Sequence, residues 1–368
     1  MPVTVSADHG SDDHGGGDHG GSGGGGSGSG SGGSGSGSSG GSGDDGGSGD
    51  NSGSGSSSGD DSDDGGDSGR HGAHHHGEDG APIDNEPIGH SHDRMVRSEI
   101  VIAGSDDGII SFARRHQFRV LGSQILGELG LNVLRLQAPD GTSAAEARGI
   151  IAAAFPEAIV DFNHLYRPQT SLTIPAPNFA ARAVAWREAL SQCGAHLRLG
   201  MVDAGVDWSA PVLSGAHGRS ADFLDSGAEA SSRQHGTAIA SLIVGQQDFG
   251  LLPKADLYAA EIFGVDSDGA PLASATSFAA ALNWLLASKV GVINVSLSGP
   301  PDRLMEIAVA RAGAKGAHLV AAVGNDGTEN MPRYPAAYPG VIGVTAVDAR
   351  GAALPQANRG AFVALSAP

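Results

Sequence analysis

The stretch Ser231-Ser232-Arg233-Gln234-His235-Gly236-Thr237-Ala238-Ile239-Ala240-Ser241-Leu242-Ile243-Val244-Gly245 decides the fold. It reads as a loop running into a helix, with one histidine at the junction. Ser231 and Ser232 are helix-entry residues, because their hydroxyls can accept from the free N–H groups of a first turn. Gly236 leaves room for another backbone to come close. Ala238, Ile239, Ala240, Leu242, Ile243 and Val244 are almost uniformly apolar, which predicts a helix enclosed by other elements. A histidine held at the mouth of such a helix is rigid and titrates near neutral pH. Alone, it reads more readily as a histidine satisfied at a helix terminus. Its neighbours along the chain argue for chemistry.

Upstream, Leu197-Arg198-Leu199-Gly200-Met201-Val202-Asp203-Ala204-Gly205 is a short apolar run ending in an acid and a glycine. It predicts a parallel strand that delivers Asp203 to its carboxyl edge, where open α/β sheets place ligands. Downstream, Val290–Gly299 and His318–Gly327 are two further strand-like runs, and they carry Asn294 and Asn325 near their ends.

The order Asp203-Ala204-Gly205, His235-Gly236-Thr237, Ile293-Asn294-Val295-Ser296-Leu297 and Ala321-Ala322-Val323-Gly324-Asn325 resembles the subtilisin-like serine peptidases. Any one of these motifs is weak; four in order, with strand and helix context between them, are specific. The resemblance covers roughly residues 95–368. It implies an α/β fold, with a parallel sheet and helices on both faces, and hydrolysis of peptide bonds by an Asp-His-Ser triad. Asp203 would orient the histidine, His235 would be general base and then general acid, and Asn325 would donate its amide to the oxyanion. Ser296, Leu297 and Ser298, with Ala322, Val323 and Gly324, would line the pocket for the residue before the scissile bond. The loop Asp266–Gly269 would form the other edge against which a peptide pairs. Asn294 is expected to support its strand's end.

Three positions depart from the family pattern. Ala204 replaces a Thr or Ser whose hydroxyl helps to fix the aspartate. Ser241 stands where glycine is usual. The nucleophile belongs to a Gly-Thr-Ser motif after a strand matched here by Phe362–Pro368, and no serine of this chain follows that strand. Ser366 is strand-terminal and is not assigned as nucleophile. The catalytic domain is therefore expected to be C-terminally incomplete, with residues 183–368 folding poorly alone.

The first eighty residues are of another kind. Residues 8–72 contain no Ala, Val, Ile, Leu, Met, Phe, Trp, Tyr or Cys, and 31 of the 60 glycines lie in residues 1–80. Such a segment buries too little apolar surface to offset its ordering entropy, so residues 1–94 are expected to be a disordered tail. Fourteen acids against Arg70 place most of the chain's net charge of −19 in the first eighty residues, so that charge says little about the folded part. Seven histidines there, including His74-His75-His76, leave two choices: a weak divalent-metal buffer or a soluble spacer. No apolar run suits a signal peptide or a membrane span. Secretion or export to a periplasm is implied by the family alone. Cys193 is the single cysteine, so no intrachain disulfide is possible. Basic clusters are absent, which argues against a nucleic-acid partner.

Residues 95–168 read as β-α-β-β-α-β, a ferredoxin-like α+β unit. Glu99–Ala103, Phe118–Gly122, Leu131–Leu136 and Ala158–Phe162 are its strands; Ile109–Arg115 is one helix, and Thr142-Ser143-Ala144-Ala145-Glu146-Ala147 opens the other, capped at its start and running through Phe155. Placed before a subtilisin-like domain, it resembles that family's inhibitory propeptide, including the ending Asn163-His164-Leu165-Tyr166. The implied partners are a polypeptide substrate and this intramolecular propeptide. Residues 169–182 read as an exposed linker, followed by the peptidase domain 183–368. No cofactor is expected; calcium is possible by family resemblance, with no site assigned. The alternative is a non-catalytic pseudo-peptidase, or a propeptide-type inhibitor that binds an active relative.

Overall fold

A computed structural model describes residues 83–84, 94–104, 107–169, 194–246 and 249–368. Most of the expected tail and of the expected linker lie outside these residues; Ile83–Asp84 and Arg94, assigned to the tail from sequence, instead lie in strands that pair with one another, because their backbone groups find partners that local composition does not show. The described residues belong to one compact unit.

Its first half contains β1 (Ile83–Asp84), β2 (Arg94–Ala103), α1 (Asp107–Arg115), β3 (Arg119–Leu126), β4 (Leu131–Gln137), α2 (Ala144–Ala154) and β5 (Ile159–Pro168). Ser143 caps α2, its Oγ accepting the Glu146 N–H at 3.2 Å, as the local sequence predicts. The β3–β4 hairpin turns through Gly130, whose φ of +61° suits glycine. The strands lie in the order β3-β4-β2-β5, all antiparallel. Ile100, Ile102, Leu134 and Leu136 of the sheet pack on Ile109, Ala113, Ala147 and Ile151 of the helices. β5 continues past Phe162, where local sequence suggested a stop, because its second half is paired by strands of the second half of the unit.

The second half contains β6 (Arg198–Asp203), β7 (His217–Asp222), α3 (Gln234–Val244), β8 (Asp256–Glu261), β9 (Gly264–Val265), β10 (Pro271–Ser274), α4 (Ala275–Ala287), β11 (Val292–Val295), β12 (Leu297–Ser298), α5 (Arg303–Ala314), β13 (His318–Ala322), β14 (Ile342–Ala346) and β15 (Leu365–Ala367). Seven of the strands form a parallel sheet in the order β15-β14-β13-β11-β6-β8-β7. Alternation along the strands feeds two cores. Met201, Leu257 and Ala259 pack under α3, and Val202, Tyr258 and Ala260 join the core of α4 and α5 on the other face. The expected α/β sheet with helices on both faces is thus present.

Two local expectations are corrected. α3 is not enclosed: Gly236, Ala240, Ser241 and Val244 are buried, whereas Ala238 and Leu242 are exposed. An all-apolar helix can lie half in solvent when a single face suffices to pack on the sheet. Nor does a serine cap α3. The N-cap is Arg233, without a side-chain cap, and Ser232 Oγ accepts only the Gln234 N–H, at 3.3 Å. Ser241 is accommodated, its hydroxyl donating back to Thr237 O at 2.7 Å.

Candidate active site

β6 ends on Asp203, and α3 begins one residue before His235. They meet because Gly236, in the first turn of α3, lies against the backbone of Ala204 and Gly205; a Cβ there would run into both carbonyl oxygens. His235 Nδ1 is 2.6 Å from Asp203 Oδ1, which also accepts the Ala204 N–H at 2.6 Å. Asp203 is fully buried. Its Oδ2 has no partner among the described residues, in keeping with the methyl group of Ala204 where a hydroxyl would stand. Burial alone disfavours the imidazolium, yet the hydrogen bond and charge of Asp203, joined by the Gln169 carbonyl, outweigh it and hold His235 above its ordinary value. A carboxylate that holds Nδ1 leaves Nε2 to exchange protons outward.

His235 Nε2 faces the carbonyl oxygen of Gln169 at 3.1 Å. This contact comes from β5, which runs between two edges of the second half. On one side Leu165 and Tyr166 pair antiparallel with Ser274 and Ala273 of β10. On the other, Arg167 and Pro168 pair with Ser298 and Leu297 of β12, and the Gln169 N–H donates to Ser296 O at 2.9 Å. The chain's own strand is therefore held like an extended peptide whose last described carbonyl lies at the histidine. Tyr166 is fully buried, its hydroxyl donating to Pro300 O at 3.1 Å. Gly299 makes that space: a Cβ there would lie 2.5 Å from the Tyr166 ring.

Ser296, Leu297 and Ser298 run alongside this strand. Asn294 supports them, its Nδ2 donating to Ser296 Oγ at 2.8 Å. Ala322 ends β13, two strands from β6, and Val323 and Gly324 follow. Gly324 has φ +102°, and a Cβ would meet Asn358 Nδ2 at 2.6 Å. Asn325 comes next, exposed at the same carboxyl end of the sheet. The Asp266–Gly269 loop is a closed turn, with Asp266 Oδ1 accepting the N–H groups of Asp268 and Ala270. The paired edge is β10, just beyond it. Ser366 is on β15, four strands from β6, roughly 19 Å at about 4.8 Å per spacing. Among the described residues, no serine hydroxyl is hydrogen-bonded to His235.

Gln169 and Pro271–Ser274 were not legible as site residues, because only tertiary register brings Gln169 to the histidine and β10 alongside β5. One group of three possible metal ligands occurs among the described residues: Asp161, His164 and Asp302. Their atoms are already engaged. His164 Nδ1 contacts Asp302 Oδ2 at 2.9 Å, Asp302 Oδ1 accepts the Met305 N–H, and Asp161 accepts the N–H groups of Phe162 and Arg303.

Residues 194–368 match the subtilase family. A thermostable alkaline protease of Halalkalibacterium halodurans is 34% identical over 181 residues, 48% of this chain and 48% of that protein. Subtilisin E of Bacillus subtilis is 28% identical over 183 residues, covering 48% and 47%. Fervidolysin from Fervidobacterium pennivorans, a keratinolytic enzyme related to subtilisin, shares the fold with a TM-score of 0.60 at 20% identity, over 76% of this chain and 48% of that one. The epidermin leader peptide processing serine protease of Staphylococcus aureus does so with a TM-score of 0.56 at 14% identity, over 74% and 75%. The chain spans about half the length of the curated relatives just described. Segment 194–368, with an acid and a histidine meeting at the carboxyl end of a parallel sheet, is thus similar to the subtilase family in both sequence and fold.

Proposed function

We propose that the chain belongs to a serine endopeptidase zymogen in which residues 95–168 are an intramolecular inhibitor. One observation carries this: the strand ending at Gln169 is paired on both sides, and its last carbonyl oxygen is 3.1 Å from His235 Nε2. A bound peptide would occupy the same rails. A serine hydroxyl, supplied by a Gly-Thr-Ser segment outside residues 1–368, attacks the peptide carbonyl and gives its proton to His235 Nε2. Asp203 stabilises the imidazolium through Nδ1, and the Asn325 amide donates to the oxyanion. His235 then returns the proton to the leaving amine, and water releases the acyl group by the reverse path. On this register the bond after Gln169 is the processing bond.

The experiment is to express the reading frame extended past Pro368 and to sequence the new N-terminus. Cleavage after Gln169, abolished by H235A, is expected. An intact chain that does not react with a serine-directed probe refutes the proposal. The filled cleft, with no described serine bonded to His235, also favours a second reading as a non-catalytic binding protein. That reading predicts that residues 1–368 inhibit an active relative in trans at micromolar concentration.

A further inference from the structure

Asp203 is not the only acid at its sheet edge. Glu261 ends β8 in parallel register with Asp203 of β6 on one side and Asp222 of β7 on the other. Three carboxyl groups thus stand side by side on adjacent strands. They share a face. Leu257 and Ala259 pack under α3, so alternation puts Glu261 on that side too. Met201 does the same for Asp203. Unlike Asp222, which is exposed, Glu261 is 9% exposed, and its Oε1 has no partner among the described residues.

The carboxyl group of Glu261 seats against Gly205. A Cβ on Gly205 would lie 2.6 Å from its carboxyl carbon and both oxygens. Gly205 is two residues from Asp203, and Gly236 of α3 lies against the carbonyls of Ala204 and Gly205 in that same turn. The turn that aims Asp203 at His235 is therefore contacted by both the Glu261 headgroup and the first turn of α3.

We propose that Glu261 is a positioning residue for the Asp203–His235 pair, bracing the Asp203-Ala204-Gly205 turn and setting the basicity of His235 through its own charge. The inference rests on the pair being the acid–base centre. Loss of the Glu261 proton adds a negative charge behind the pair and favours the imidazolium, so the two groups titrate as a coupled system. Asp203 of β6 and Asp222 of β7 flank Glu261 in register, and Arg233 at the start of α3 acts on it by its charge; His235 is reached through Asp203. Burial, and next Asp222, push its carboxyl above the ordinary value, while Arg233 and the Gly205 N–H oppose them.

The test is nitrogen-15 NMR of the His235 ring across pH in the full chain, assigned with H235N. In E261Q the His235 midpoint should shift to lower pH while the Nδ1 proton signal persists. E261D, which keeps the charge, should restore the midpoint. In the unsubstituted chain, the His235 shifts should also show an inflection at the pH where the carbon-13 signal of the Glu261 carboxyl titrates. An unchanged midpoint in a folded E261Q, or no shared inflection, overturns the proposal. D203N separates this from failure of the pair itself: if D203N leaves the Nδ1 proton and the His235 titration untouched, the acid–base reading fails, whatever Glu261 does.

Discussion

At the scale of single residues, Asp203 and His235 depend on each other. The aspartate is fully buried with one oxygen on the ring, and the ring sits above its ordinary value of 6.5 because of that oxygen. The sign of the pH dependence follows. A group whose folded value is raised contributes stability that is fully present below its unfolded value and is lost as pH rises through the folded one. The contribution of His235 should therefore be complete below about 6.5 and fade above it. Urea unfolding of D203N should lose this dependence. If the proposed mechanism holds, D203N should lower the kcat of the processed form by about 10⁴, and N325A by about 10²–10³. Steady-state kinetics on a chromogenic peptide would measure both. Gly236 is a packing prediction. G236A forces apart α3 and the Ala204–Gly205 backbone and should cost about 1–3 kcal/mol. The control G291A, with nothing within 4 Å of a Cβ, should cost far less.

At the scale of elements, β5 matters most, since its length was the least legible from local sequence. Ile159–Phe162 pairs only with β2 of its own half, and the remainder with β2, β10 and β12. Tyr166 anchors the far part. Y166A should cost about 3–5 kcal/mol, as loss of a buried aromatic does. Y166F keeps the ring and removes the hydroxyl that donates to Pro300 O, a bond worth about 1 kcal/mol. Hydrogen exchange at residues 165–169 should rank Y166A fastest, then Y166F, then the parent chain. Equal protection in all three would mean that Tyr166 does not hold the strand. α3 shows the opposite case. Its extent was readable from its apolar run and from Gly245 at its end, but its exposed side was not, because an apolar run carries no label for the face that packs.

At the scale of the whole compact unit, polar links join residues 94–168 to the second half. Glu99 is fully buried and holds Arg135 at 2.6 and 3.0 Å. Asn163 donates to the same carboxylate and accepts the N–H of Thr276 in α4. The β3–β4 turn adds a second link, with the Glu128 and Leu129 N–H groups on Asn283 Oδ1 and Arg311 on the carbonyls of Leu129 and Gly130. R135M would remove the cation from the Glu99 carboxylate and leave it the Asn163 amide. Breaking one side of a buried pair costs about 3–5 kcal/mol, and Arg135's partial exposure argues for the lower end, about 3 kcal/mol. Urea unfolding of the full chain checks this, and a change within ±0.5 kcal/mol would show that the link carries no stability.

Short-range order was in the sequence by itself. The motifs at Asp203, His235 and Asn325 follow one another at the ends of predicted elements, Ser143 caps its helix, and the apolar spacing separates two halves, because each depends on residues a few positions apart. Tertiary structure alone decided what fills the cleft, where Gln169 lands, and that Glu261 braces the turn after Asp203. Those are pairings between residues tens to more than a hundred positions apart. Their register is set by how the two sheets pack, and no local pattern of side chains records it.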